Sequence, residues 1–92
     1  MRWKLFADLA EAADGREPEV EVDDDDPTVG DALTALLDAH PELADRVLDE
    51  DGELREHINL LRNGRNVAED EGMETPVDSD DELALFPPVS GG

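Results

Sequence analysis

Residues 28–40 constrain the fold of this chain more than any other segment. Thr28 can cap a helix N-terminus, and Asp31 stands at the capping-box position, where Glu or Gln is commoner. Val29, Leu33, Leu36 and Leu37 fall at i, i+4, i+7 and i+8, one apolar stripe along a helix. Pro41 disfavours helical geometry in the residue before it, so the helix ends near His40. A helix with one apolar stripe must bury that stripe against a second layer.

Short alternating segments supply that layer. Arg2–Phe6 puts Trp3 and Leu5 on one face and Arg2, Lys4 and Phe6 on the other, as a half-buried strand does. Ala7–Ala13 reads as a short helix stopped by Asp14-Gly15. Glu19–Asp23 alternates again, and its two valines share a face. The acidic run Asp23–Asp26 reads as a solvated turn, because four consecutive carboxylates cannot all converge on a metal. Pro41–Leu48 is a second short helical piece with Leu43 and Val47 inward. Asp49-Glu50-Asp51-Gly52 invites comparison with a calcium loop. With Gly52 at loop position 6, however, positions 1 and 12 are Val47 and Ile58, which cannot ligate calcium. It is an acidic turn.

Ile58–Arg62 is a strand followed by Asn63-Gly64, a strong signal for a type I′ hairpin. Arg65-Asn66-Val67 returns, 69–81 is a polar connection, and Glu82–Phe86 is the last strand, with Leu83 and Leu85 on one side. The expected fold class is α+β, a four- or five-stranded mixed sheet packed on one main helix. The expected core is Trp3, Leu5, Val20, Val22, Val29, Leu33, Leu36, Leu37, Leu43, Val47, Ile58, Leu60, Leu83 and Leu85.

Charge then excludes whole classes of function. The 92 residues carry 27 Asp or Glu against 7 Lys or Arg, a formal charge of −20. That sign opposes binding to nucleic acid and to anionic membranes. Lys4 is the single lysine among those basic residues. A carboxylate-rich, lysine-poor surface suits very high salt, where a Debye length of about 3 Å at ~1 M screens self-repulsion. An acidic mimic of nucleic acid is the competing reading. With no cysteine there is no disulfide, thiolate ligand or cysteine nucleophile. No signal peptide or membrane-length apolar run is visible, so a cytoplasmic monomer is expected. No nucleophile–base pair stands out, and neither His40 nor His57 reads as catalytic. The chain is not expected to be an enzyme or to bind a metal or cofactor.

The chain ends Phe86-Pro87-Pro88-Val89-Ser90-Gly91-Gly92. Two prolines favour stiff, extended geometry. Two glycines without Cβ can thread a narrow channel. The last group is an unhindered α-carboxylate on Gly92, which adenylation by ATP would activate toward an amine, a thiol or sulfide. A terminal Gly-Gly arises by chance in about one chain in 200, so the signal lies in its combination with the Pro-Pro spacer and the compact domain before it. The expected division is a domain over 1–86 and an extended tail over 87–92.

Leu85-Phe86-Pro87-Pro88-Val89-Ser90-Gly91-Gly92 resembles the tail of MoaD-like ubiquitin-fold proteins, and especially the haloarchaeal small archaeal modifier proteins. Trp3-Lys4-Leu5-Phe6-Ala7, Thr28-Val29-Gly30-Asp31-Ala32-Leu33 and Ile58-Asn59-Leu60-Leu61-Arg62-Asn63-Gly64 resemble the family's first strand, helix start and hairpin. One departure is Asp78-Ser79-Asp80-Asp81-Glu82, where the family commonly has Gly between acids. The resemblance implies a ubiquitin-like β-grasp roll. It also implies activation at Gly92 by an E1-like adenylating enzyme that uses ATP and magnesium. Isopeptide attachment to target lysines would follow. The alternative is a C-terminal thiocarboxylate for molybdopterin synthesis or tRNA thiolation, with the molybdopterin synthase large subunit as a partner. Residues Pro87, Pro88, Val89, Ser90 and Gly91 would thread into the partner, Phe6 and Phe86 would form its contact surface, and Lys4 is a possible acceptor.

Overall fold

The computed structural model describes residues 1–22, 25–55 and 58–87. Four strands form one mixed sheet: β1 (Arg2–Leu5), β2 (Asn59–Arg62), β3 (Arg65–Asn66) and β4 (Glu82–Phe86), in the order β1-β4-β2-β3. β1 runs parallel to β4, while β2 is antiparallel to both β4 and β3. Among the described residues three helices accompany the sheet, α1 (Asp8–Ala13), α2 (Val29–Ala39) and α3 (Ala44–Val47). Short 3₁₀ turns at Pro41–Leu43, Val67–Glu69 and Gly72–Glu74 join them.

Helix α2 forms as its sequence dictates. The Asp31 N–H donates to Thr28 Oγ1 at 3.2 Å and the Thr28 N–H donates to Asp31 Oδ2 at 3.0 Å, a complete capping box. The first helical N–H has no partner inside the helix, and here Val29 N–H donates to the Thr75 carbonyl at 2.9 Å. The connection after β3 is thereby stitched to the helix start. Val77 N–H bonds back to the Pro27 carbonyl at 3.0 Å, and Thr28 and Pro76 form a bridge. Gly30 permits this approach, since a Cβ there would meet the Met73 carbonyl oxygen at 3.2 Å.

The core lies between α2 and the inner face of the sheet. Trp3, Leu36, Leu43, Val47, Leu83 and Leu85 are all fully shielded from water. Two expected core residues, Val22 and Leu37, are only half-buried and pack against the core from its edge. Ala32 is fully buried on the helix, and Leu9, Ala13, Val67 and Val77 are also in the core.

The described part of the expected strand Glu19–Asp23, residues 19–22, does not form one, and Asp23 lies outside the described residues. Only Glu19 bridges to Arg2, although Trp3 N–H reaches the Pro18 carbonyl and Leu5 N–H the Arg16 carbonyl, at 3.0 and 2.7 Å. Pro18 has no N–H to return, so its pairing with Trp3 is one-sided, while Val20 and Met1 exchange both backbone hydrogen bonds at 3.0 Å. Val67 likewise leaves the hairpin: the Asn66 side chain accepts from Ala68 N–H at 2.9 Å and starts a 3₁₀ turn instead. The hairpin tip itself is as expected, with Asn63 and Gly64 at φ 51° and 85°. The Asp49 carboxylate accepts from the N–H groups of Asp51 and Glu53 and closes the acidic turn.

The acidic turn before β4 needs no glycine. Asp81 N–H closes it on the Asp78 carbonyl at 3.0 Å, and none of its described residues has positive φ. The Asp81 carboxylate also clamps the hairpin to β4. It accepts from Arg62 Nε at 2.8 Å, Asn63 Nδ2 at 2.9 Å and Asp78 N–H at 2.8 Å. Burial pushes the Asp81 pKa up, but the Asp78, Asn63 and Arg62 donors outweigh burial and hold it below the usual carboxylate value of 3.8. A carboxylate with a depressed native pKa adds stability that is present above its unfolded pKa and lost as pH falls through the native one. Asp81→Ala should therefore cost about 2 kcal/mol near neutral pH. The gap from wild type should narrow below pH 3.8, as urea unfolding across a pH series would measure.

One non-glycine residue is held in a strained conformation where β1 ends. Ala7 has φ 54° and ψ −130°, a region that suits glycine. Relief of this strain outweighs the extra chain entropy of glycine, so Ala7→Gly should stabilise the fold by about 1 kcal/mol in denaturant unfolding.

Candidate functional site: the outer sheet face and the exit of the tail

The sheet has one face on the core, and the chain leaves β4 beside the other. The register pairs Trp3 with Leu83 and Leu5 with Leu85, so the next residues, Phe6 and Phe86, stand side by side at the strand ends. Their rings stack with centroids 4.2 Å apart and planes inclined by 9°. Phe6 is 39% exposed, and among the described residues it is the one large apolar side chain in that class. Phe86 is half-buried. The strain at Ala7 falls directly after Phe6, where the chain turns from β1 into α1.

Side chains around the pair complete the face. Lys4 lies across from Ala84, which in turn pairs with Leu61, and Asn59 pairs with Phe86. Lys4 Nζ stands 3.4 Å from Glu82 Oε1. Asn66 Nδ2 donates to Asn59 Oδ1 at 3.3 Å and closes the far edge. The face is thus an aromatic step with an ion pair at one side and amides at the other. Strand alternation had placed Phe6 and Phe86 on this side of the sheet. Their mutual stacking and the Lys4–Glu82 pair depend on the parallel β1–β4 pairing, which no local pattern encodes.

Pro87 follows directly, half-buried at the end of β4. Pro88, Val89, Ser90, Gly91 and Gly92 lie outside the described residues, as does His57. His40 caps the end of α2, its N–H donating to the Leu36 carbonyl at 2.9 Å. Beside the aromatic step, a cleft opens between the end of β1, α1 and the 14–17 loop, lined by Lys4, Phe6, Ala7 and Arg16 among others. Among the described residues no group of three or more His, Asp or Glu side chains is arranged to hold a metal ion. None of the described helices is long and apolar enough to cross a membrane.

A four-stranded mixed sheet with parallel outer and central strands, wrapped on one main helix, is the ubiquitin-like β-grasp fold. The chain belongs to the ThiS family, whose model matches residues 3–92. It is 60% identical to small archaeal modifier protein 1 of Haloferax volcanii over 92 residues, which is all of both chains. The crystal structure of SAMP1 from that organism superposes with a TM-score of 0.90 at 58% identity, covering 100% of this chain and 98% of the other. A putative sulfur carrier protein of Archaeoglobus fulgidus is 38% identical over 74 residues, 80% of this chain and 84% of the relative. These relatives are modifier and carrier proteins rather than enzymes.

Proposed function

We propose that this chain is a ubiquitin-like protein modifier, the carried group in a conjugation reaction and not its catalyst. The observation that supports this most is the full-length identity to small archaeal modifier protein 1. In this reading an E1-like adenylating enzyme, supplying its own ATP and magnesium site, grips the outer sheet face at Phe6 and Phe86. It draws Pro87–Gly92 into its active site. The Gly92 carboxylate attacks the α-phosphate of ATP, pyrophosphate leaves, and the resulting acyl-adenylate is captured by a lysine amine of a target protein.

The test is reconstitution with an archaeal E1-like enzyme, ATP, magnesium and a lysine-bearing acceptor protein. ATP–pyrophosphate exchange dependent on the chain, followed by an amide-linked adduct, is the expected result; neither appearing overturns the reading. The chain has no Lys or Arg after Arg65, so trypsin leaves the whole of 66–92 on the acceptor. Cleavage after acidic residues leaves only 83–92, a more practical signature for mass spectrometry. Phe6→Ala should slow activation about tenfold or more. Losing the ring stack should cost folding only about 1 kcal/mol.

Sulfur carriage is a second reading, favoured by the identity to the putative sulfur carrier protein. It uses the same acyl-adenylate with sulfide as the acceptor, and it predicts a terminal thiocarboxylate delivered to a partner such as the molybdopterin synthase large subunit. Intact mass of the chain isolated from its cells separates the two, through replacement of one oxygen by one sulfur.

A further inference from the structure

Lys4 shares the outer face with the aromatic step. Phe6 follows two positions later on the same side, about 7 Å along the chain. The Lys4 side chain is 39% exposed, and its Nζ is held 3.4 Å from the Glu82 carboxylate. The other primary amine of the chain, the N-terminus, is part-buried and donates to the Val20 carbonyl at 3.0 Å. Of the two amines, one is tied to backbone and the other is half-exposed on the face, paired only with a side chain.

We propose that Lys4 is a modification site that gates the chain. An amide formed at its Nζ with the activated carboxyl of a second copy closes the Phe6–Phe86 face, so the modified chain cannot itself be activated. The step balances within the proposed chemistry. Neutral Lys4 Nζ attacks the acyl carbon of the second copy's C-terminal adenylate. The new C–N bond forms, the C–O bond to AMP breaks, and the amine proton leaves to water. Amide formation removes the ammonium, dissolves its pair with Glu82, and fixes a whole domain within a lysine stem's length of Phe6. A chain already attached to a target has spent its carboxyl and loses nothing by this. A free chain becomes a dead end. This inference rests on the reading of the outer face as the activating enzyme's contact.

The absence of cysteine makes the test clean, because Lys4→Cys introduces a unique thiol. That thiol is capped with a maleimide-linked polyethylene glycol. The control is Glu50→Cys, capped identically in the exposed turn after α3. ATP–pyrophosphate exchange is compared before and after capping, with tryptophan fluorescence confirming the fold. Capping at position 4 should cut the rate about tenfold or more, as masking a central contact does, and capping at position 50 should leave it unchanged. Equal exchange by capped and uncapped Lys4→Cys overturns the gate. If Phe6→Ala is slow while capped Lys4→Cys is normal, only the gate fails. If Phe6→Ala is itself activated normally, the reading of the face fails and the gate goes with it.

Discussion

A chain lacking Gly91 and Gly92 is expected to give no detectable ATP–pyrophosphate exchange with an activating enzyme, while melting at the same temperature as wild type. The physical reason is reach. In the proposed reaction the reactive group is the terminal carboxylate, and deleting two residues retracts it by up to about 7 Å along an extended chain. Misplacing a reacting group by about 1 Å can already cost about 100-fold in rate. The new terminus, Ser90, also brings a Cβ to a channel that is proposed to admit only backbone. Folding is expected to be untouched, because the last strand ends at Phe86 and every core residue precedes it among the described residues. Calorimetry and exchange on the same sample check both halves. Retained exchange would refute the proposed role of Gly92 and revive the acidic-mimic reading, which needs no terminal glycine.

The second large effect concerns Trp3. It is the single tryptophan, fully buried at the centre of β1, and it packs in the core with Leu83 and Leu85 of β4 and Leu36 of α2. Trp3→Ala should cost about 3–5 kcal/mol, against a total stability of about 5–15 kcal/mol for a domain of this kind. The melting temperature should fall by roughly 15 °C or more, as circular dichroism would record. Trp3→Phe should cost much less than its lost volume suggests. The Trp3 indole Nε1 has no hydrogen-bond partner among the described residues, and a buried unsatisfied donor carries a penalty of about 1–3 kcal/mol. Phenylalanine removes that donor and keeps most of the ring. If Trp3→Phe proves as damaging as Trp3→Ala, shape and not polarity governs this position.

The residues that were legible in sequence are those whose structure is decided by near neighbours. The capping box at Thr28 and Asp31, the turn at Asn63-Gly64 and the alternation in β1 and β4 need only a few residues on either side. Glu19–Asp23 shows the limit of this approach. Its alternation is real, and Val20 is buried and exchanges both backbone hydrogen bonds with Met1, yet Pro18 lacks an N–H and the pairing stops at a single bridge. Leu9, Val67 and Val77 were missed for the opposite reason, since their segments carry weak periodicity and are buried only because distant elements cover them.

By itself the sequence determined the main helix, the hairpin and the inward and outward faces of the strands. These follow from caps, turn residues and side-chain period, all of them local. Tertiary structure alone decided three further things. It set β1 parallel beside β4, so that Phe6 stacks on Phe86. It brought Lys4 Nζ against Glu82 on that same face. It also selected Asp81, out of 27 acidic residues, as the carboxylate that holds the hairpin to the sheet. Each of these joins residues that are at least 18 positions apart, as the Asn63–Asp81 contact is. Such contacts form only once the chain has closed on its core.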